Sequence, residues 1–255
     1  MLIILLRLML APALVYGISR ATHRWGPIVG GWLAGMPAVA GPILLVTALS
    51  HGIPFTALAS GHALIGIVAF VVYVLTFALA SAYLRASPSL LLGWIAFLLA
   101  GYALNRLPLT LALQALLAIA ACALAPFLLR KAHGPMRIGG ISQLETWARV
   151  GFAFVLVVLI TGVSGRVGPE FTGILAPFPI ASSVLAWFSL RQGRDNCLHQ
   201  LRGLLGGVWS LTVFFITLAI TLPRWGGVPG FVAALSAALC TAGIVLFILR
   251  RQARS

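Results

Sequence analysis

The chain has 255 residues, 61% of them hydrophobic and only 8% charged, with a mean hydropathy of +1.10. An ordinary soluble domain carries about 25% charged residues, so seventeen Lys and Arg against three acids, a formal net charge of +14, cannot solvate a globule of this size. A cytosolic enzyme, a secreted disulfide scaffold and a nucleic-acid-binding domain are excluded; the composition points to an all-α polytopic membrane protein with little mass outside the bilayer.

A crossing helix needs about 20 mainly apolar residues, and nine segments qualify in chain order. The first, 2–18, has the hydropathy of a signal peptide. It lacks a basic leading region and is interrupted by Arg7, so a retained helix is expected. The second, 27–50, is dense in Gly and Pro; the third is 56–83. Segments 88–104 and 109–129 are separated at Asn105-Arg106-Leu107-Pro108, where the residue before Pro avoids the helical region. One helix through both would run about 63 Å at 1.5 Å per residue, too long for one crossing. The remaining segments are 147–164, 169–190, 199–222 and 229–249. Cys122, Cys197 and Cys240 are far apart and form no CxxC, so free thiols are expected, with no disulfide and no metal site.

The basic residues sort by loop. Arg20, Arg24, Arg85, Arg130, Lys131, Arg137, Arg149, Arg191, Arg194, Arg202, Arg250, Arg251 and Arg254 fall on one side of a nine-span chain, and Arg7, Arg106, Arg166 and Arg224 on the other. This bias places the N-terminus outside and the C-terminus in the cytoplasm of a bacterial inner membrane. An even number of spans would scramble the sorting.

The sequence also matches itself at a shift of 142. Arg7, Ala11, Leu14, Val15, Ile18, Arg24, Gly26, Pro27, Gly31, Leu33, Ala34 and Pro37 meet Arg149, Ala153, Leu156, Val157, Ile160, Arg166, Gly168, Pro169, Gly173, Leu175, Ala176 and Pro179 without a gap. After a slip of one residue, Gly52 aligns with Gly193 and Gly66 with Gly207. Apolar composition inflates matches at Leu and Ala but not at Arg, Gly and Pro in register. The expected organisation is a four-span repeat over 1–106, a linking helix and cytoplasmic loop over 107–145, and a second repeat over 146–255. A single linking span inverts the second copy, giving the 4+1+4 inverted topology known among secondary transporters.

The second copy, through Thr172-Gly173-Ile174-Leu175-Ala176-Pro177-Phe178-Pro179, Gly193, Trp209 and a last span reaching Leu249-Arg250, resembles the GlpM family of small four-helix membrane proteins. The likeness covers roughly 165–250 and, through the internal repeat, 20–105 more weakly. The first copy departs from it, with Gly35-Met36-Pro37 in place of Pro177-Phe178-Pro179. The resemblance implies four-span units that pair antiparallel, here fused as an inverted tandem duplication; it implies no particular activity.

Chemistry concentrates where the helices are weakest. Residues 26–42 hold five glycines and three prolines. A Pro inside a helix removes a hydrogen bond and clashes with the preceding turn, and within a bilayer the freed carbonyl must find a partner in protein or trapped water. Gly168, Pro169, Gly173, Pro177 and Pro179 repeat the pattern. Interrupted helices at matching places in two halves mark a transport site, whereas Gly26-x-x-x-Gly30 and Gly31-x-x-x-Gly35 also suit plain close packing. Arg24 and Arg166 precede Gly-Pro helix starts and fit either interfacial anchoring or recruitment of an anion. Arg7 and Arg149 are expected to snorkel to the headgroups. Glu170 replaces Ile28 of the first copy and fits helix capping or a proton or cation site. His62 is either a hydrogen-bonded core residue or a proton relay. Thr47, Ser182, Ser183 and Ser189 either line a polar path or bond the carbonyl four residues back.

No HExxH, G-x-S-x-G or P-loop occurs, and Asp195 is the only Asp, so no enzyme is expected. The expectation is a transporter or channel-like protein for a small anionic or neutral solute, without cofactor. Its site would be drawn from Arg24, Gly30, Gly31, Pro37, Thr47, His62, Arg166, Glu170, Gly173, Pro179, Ser182, Ser183 and Ser189, at the crossing of spans 2 and 7. Its partners would be the lipid bilayer, a small solute and a possible second copy of the chain, with no nucleic acid. The rivals are a non-transporting envelope or assembly protein packing through Gly-rich helices, and an intramembrane enzyme, which would need a reactive Ser beside a His.

Overall fold

The computed structural model describes residues 2–37, 40–129, 146–151 and 168–252, and among these every regular element is helical. In chain order they are α1 (Leu2–Trp25), α2 (Pro27–Ala34), α3 (Ala40–His51), α4 (Ile53–Ala80), α5 (Ala86–Asn105), α6 (Leu111–Leu128), a helical stretch at 146–151, α7 (Pro169–Leu175), α8 (Ile180–Gln192), α9 (Arg194–Trp225) and α10 (Gly227–Gln252). Six spans among the described residues are long and apolar enough to cross a membrane: α4, α5, α6, α7 with α8, α9 and α10. The chain is a multi-pass membrane protein. The expected first span is α1, and the expected second is two half-length helices, α2 and α3. Most of the expected span 147–164, and the loop 130–145, lie outside the described residues.

Helix boundaries follow local chemistry. Four glycines with positive φ (Gly26, Gly52, Gly193 and Gly226) each stand alone between two helices. At Gly52 (φ 85°, ψ 171°) and Gly193 (φ 139°, ψ 146°) the backbone takes a conformation that a side chain opposes. The chain therefore turns a corner in one residue and opens the two longest helices, α4 and α9. The turn before α6 stops at Leu107-Pro108, as expected, and Thr110 caps the helix by accepting from the Leu113 amide at 3.4 Å.

Helices α4 and α9 form the centre, packed on each other. Tyr73 and Phe77 of α4 and Phe214 and Phe215 of α9 lie in one buried apolar cluster. Helix α5 lies on α4, and α10 on α9. The outer faces invert the usual soluble pattern: α5 exposes Ile95, Leu98 and Leu99, α6 exposes Leu116 and Phe127, and α10 exposes Val232 and Leu239. An apolar outer surface over helices this long is what a bilayer solvates.

The two broken helices are held by glycine. A methyl on Gly31 of α2 would collide with the Gln200 carbonyl oxygen of α9, one on Gly203 with the Ile28 carbonyl, and one on Gly207 with the Trp32 carbonyl. Helix α7 lies on α4 in the same manner. A methyl on Gly173 would collide with the Ala59 carbonyl, and one on Gly66 would come within 2.5 Å of the Ile174 carbonyl oxygen. Each short helix thus rests on the long central helix of the opposite sequence half. Small residues permit such backbone contact, and packing is the main attraction between helices in lipid.

Candidate functional site

The second break covers residues 176–179, between α7 and α8. The Ala176 amide still donates to the Thr172 and Gly173 carbonyls, and the Ile180 amide donates to the Phe178 carbonyl at 2.7 Å. Pro179 occupies the N-cap of α8, which no side chain caps. Ala176, Pro177 and Pro179 are buried, which satisfies the requirement that irregular backbone at membrane depth be enclosed by protein. Phe178 closes one side, edge-on to Phe97 at 5.1 Å and 6.1 Å from the Trp94 ring.

The first turns of α8 carry hydroxyls into this enclosure. The Ser183 Oγ accepts from Trp94 Nε1 at 2.9 Å and lies 3.2 Å from the Tyr73 hydroxyl. Ser182 is also buried, and its Oγ has no hydrogen-bond partner. Seven residues on, and so on the same helix face, Ser189 is buried with an unpartnered Oγ as well. The result is a hydrogen-bonding strip in an otherwise apolar interior, beside an uncapped helix start with outward-facing amides. Such a strip can hold a small polar solute or water.

The first break is apolar. The Gly35 amide donates to the Gly31 and Trp32 carbonyls, Pro37 is buried, and the Gly41 amide donates to the Pro37 carbonyl at 2.9 Å as α3 resumes. Thr47 is buried on α3. Helix α2 touches α8, yet both short helices rest mainly on α9 and α4. The broken helices therefore meet chiefly through these central helices.

The remaining expected residues are dispersed. Gly30 faces the Thr22 side chain at the α1–α2 corner. Arg24 is exposed, its guanidinium 5.8 Å from the Trp25 ring. Glu170 is exposed at the start of α7 and accepts from Asn105 Nδ2 at 3.3 Å. His62 is half-buried on α4 beside Gly173, with its buried Nδ1 unpartnered. Arg166 lies outside the described residues.

Three residues that the sequence did not single out for the site take part in the interior. Tyr73 and Trp94 hold Ser183; their only sequence signal is a polar atom on an aromatic ring in mid-span. Arg149, expected at the headgroups, is 2% exposed, with its guanidinium 5.0 Å from the Phe188 ring. The ring face of Phe188 offers a cation an attractive surface that a lipid-facing position lacks.

These features define a multi-pass helical membrane protein with two interrupted helices. No protein-family model matches the chain, and no curated protein or solved structure matches it significantly.

Proposed function

We propose that the chain is a transporter or channel-like protein for a small anionic or neutral solute, with its site at the break between α7 and α8. It would be a nine-span, 4+1+4 inverted repeat, resembling two fused GlpM-like units, in a bacterial inner membrane with its N-terminus outside. The carrying observation is the run of buried hydroxyls, Ser182, Ser183 and Ser189, that follows a helix interruption in the packed interior. Unpaired polar groups are costly at such depth, and a passing solute or water would supply their partners. The repeat is supported by equivalent helix bounds, since α2 begins at Pro27 and α7 at Pro169, while Gly52 and Gly193 both open long helices. The assembly reading needs Gly-rich faces for a partner, but Gly31, Gly203, Gly207, Gly66 and Gly173 already meet backbone of this chain.

The test uses Ser182→Cys in a Cys240→Ser background, because the other two cysteines are buried. In proteoliposomes, the introduced thiol is expected to react with a membrane-impermeant maleimide, and an anionic or neutral solute that permeates should slow the reaction. An unreactive thiol, together with no flux across a panel of such solutes, would overturn the proposal.

A further inference from the structure

A second polar feature lies away from the break. A cleft of about 480 Å³ opens where the α4–α5 turn meets the end of α8. Arg85 comes from one sequence half and Arg191 from the other, and no carboxylate lines the cleft among the described residues. Trp187 forms its floor: the indole N–H donates to Ser87 Oγ at 3.1 Å, and the Arg191 guanidinium sits 4.9 Å from the ring centre. Stacking on the indole holds that guanidinium in place while its N–H groups remain available. Because Ser87 accepts from Trp187, its own hydrogen is available to another acceptor. No side chain caps the start of the 20-residue helix α5 at Ala86, so its partial positive charge adds to the two guanidiniums. Leu84 and Leu190 supply an apolar wall.

We propose that this cleft binds a phosphate ester, with Arg85 and Arg191 gripping the phosphate oxygens, Ser87 donating to one of them, and the leucine wall covering the ester carbon. Guanidinium forks match phosphate geometry, and the volume exceeds what a bare ion needs. The ester is either a phospholipid headgroup or a soluble phosphate. The proposal does not depend on the transport reading, because the cleft shares no residue with the break.

Two binding arms separate the sources. The full chain in neutral detergent is titrated with phosphatidylglycerol or phosphatidylcholine, and retained lipid is counted by native mass spectrometry. In parallel, inorganic phosphate and glycerol phosphate are titrated against the thermal unfolding midpoint. A lipid site predicts a preference for phosphatidylglycerol that falls by about 30-fold in Arg85→Gln/Arg191→Gln, the effect of two basic residues near an anionic lipid. A soluble-ester site predicts that glycerol phosphate raises the wild-type midpoint and leaves that of the double variant unchanged. Arg106→Gln/Arg224→Gln, at the other ends of α5 and α9, should behave as wild type in both arms. Ser87→Leu, at an exposed position, should fill the cleft and lose binding even if the arginine variant is unstable. Wild-type binding in both Arg85→Gln/Arg191→Gln and Ser87→Leu, or a wild type that neither prefers phosphatidylglycerol nor is stabilised by glycerol phosphate, would overturn the proposal.

Discussion

In the first interrupted helix, α2 ends at Ala34 and α3 resumes at Ala40, with Gly41 and Leu44 following. In the second, α7 ends at Leu175 and α8 resumes at Ile180, with Ser182, Ser183 and later Ser189. Both are broken at the same place and both lean on a glycine-bearing face of a central helix. Among the described residues, the second buries three hydroxyls, Ser182, Ser183 and Ser189, where the first buries one, Thr47. Packing constrains both halves alike, because a backbone-to-backbone contact admits only glycine. Side-chain chemistry is free to differ, and buried hydroxyls are denser after the second break than after the first.

The largest effect should come from the shared feature. Gly31→Ala places a methyl against the Gln200 carbonyl, which cannot move without shifting α9. A loss of about 3 kcal/mol or more is expected, read as a collapse in the thermal midpoint or in monodisperse yield. Gly41→Ala is the control, since among the described residues its methyl would meet only Phe214 Cζ, at 3.7 Å. Equal tolerance of both would show that the α2–α9 contact is not close.

Next comes a pair that the sequence aligns and the structure separates. Gly26 has φ 89°, whereas Gly168 has φ −69° and, among the described residues, no atom within 4 Å of an added methyl. Gly26→Ala should cost about 1–3 kcal/mol, and Gly168→Ala almost nothing, by the same thermal measurement. A similar cost at both would mean that the two corners share one geometry.

Ser183→Ala tests the hydroxyls that follow the second break. It leaves the Trp94 indole N–H without its acceptor and the Tyr73 hydroxyl without its neighbour. Polar contacts between membrane helices average about 0.6 kcal/mol, so a loss of about 1 kcal/mol is expected. The companion Trp94→Phe should make the serine replacement milder, because the indole donor is gone and only the Tyr73 hydroxyl then loses its neighbour. Additive losses in this cycle would show that the indole and the hydroxyl are not coupled.

Much of this arrangement was legible in the sequence because glycine and proline punctuate helices by local sterics. Pro27, Pro169 and Leu107-Pro108 mark helix starts and stops, and Gly52 and Gly193 mark corners. The burial of Ser182, Ser183 and Ser189 was not legible, because α8 is enclosed on every side from Ile180 to Ala186 and no sequence period marks the serines as inward. Other features depend on tertiary contact. Nothing near Arg149 in sequence announces Phe188, and nothing near Trp94 announces Ser183. The spacing of Gly31 and Gly35 signals a close helix partner without identifying α9.

The smallest effect is expected at Glu170, the acid that the sequence makes most conspicuous. It is exposed and lies at the start of α7, one helix length from the break, where it accepts from Asn105. Glu170→Gln keeps an oxygen to accept that hydrogen bond and removes only an exposed charge. The stability change should stay within about 0.5 kcal/mol, and under the transport proposal solute flux in proteoliposomes should remain close to wild type while Ser183→Ala lowers it. If Glu170→Gln abolished flux with the thermal midpoint intact, the decisive charge would lie at the mouth of α7. The hydroxyls after the break would then be a lining that the solute passes, with selection made before it reaches them.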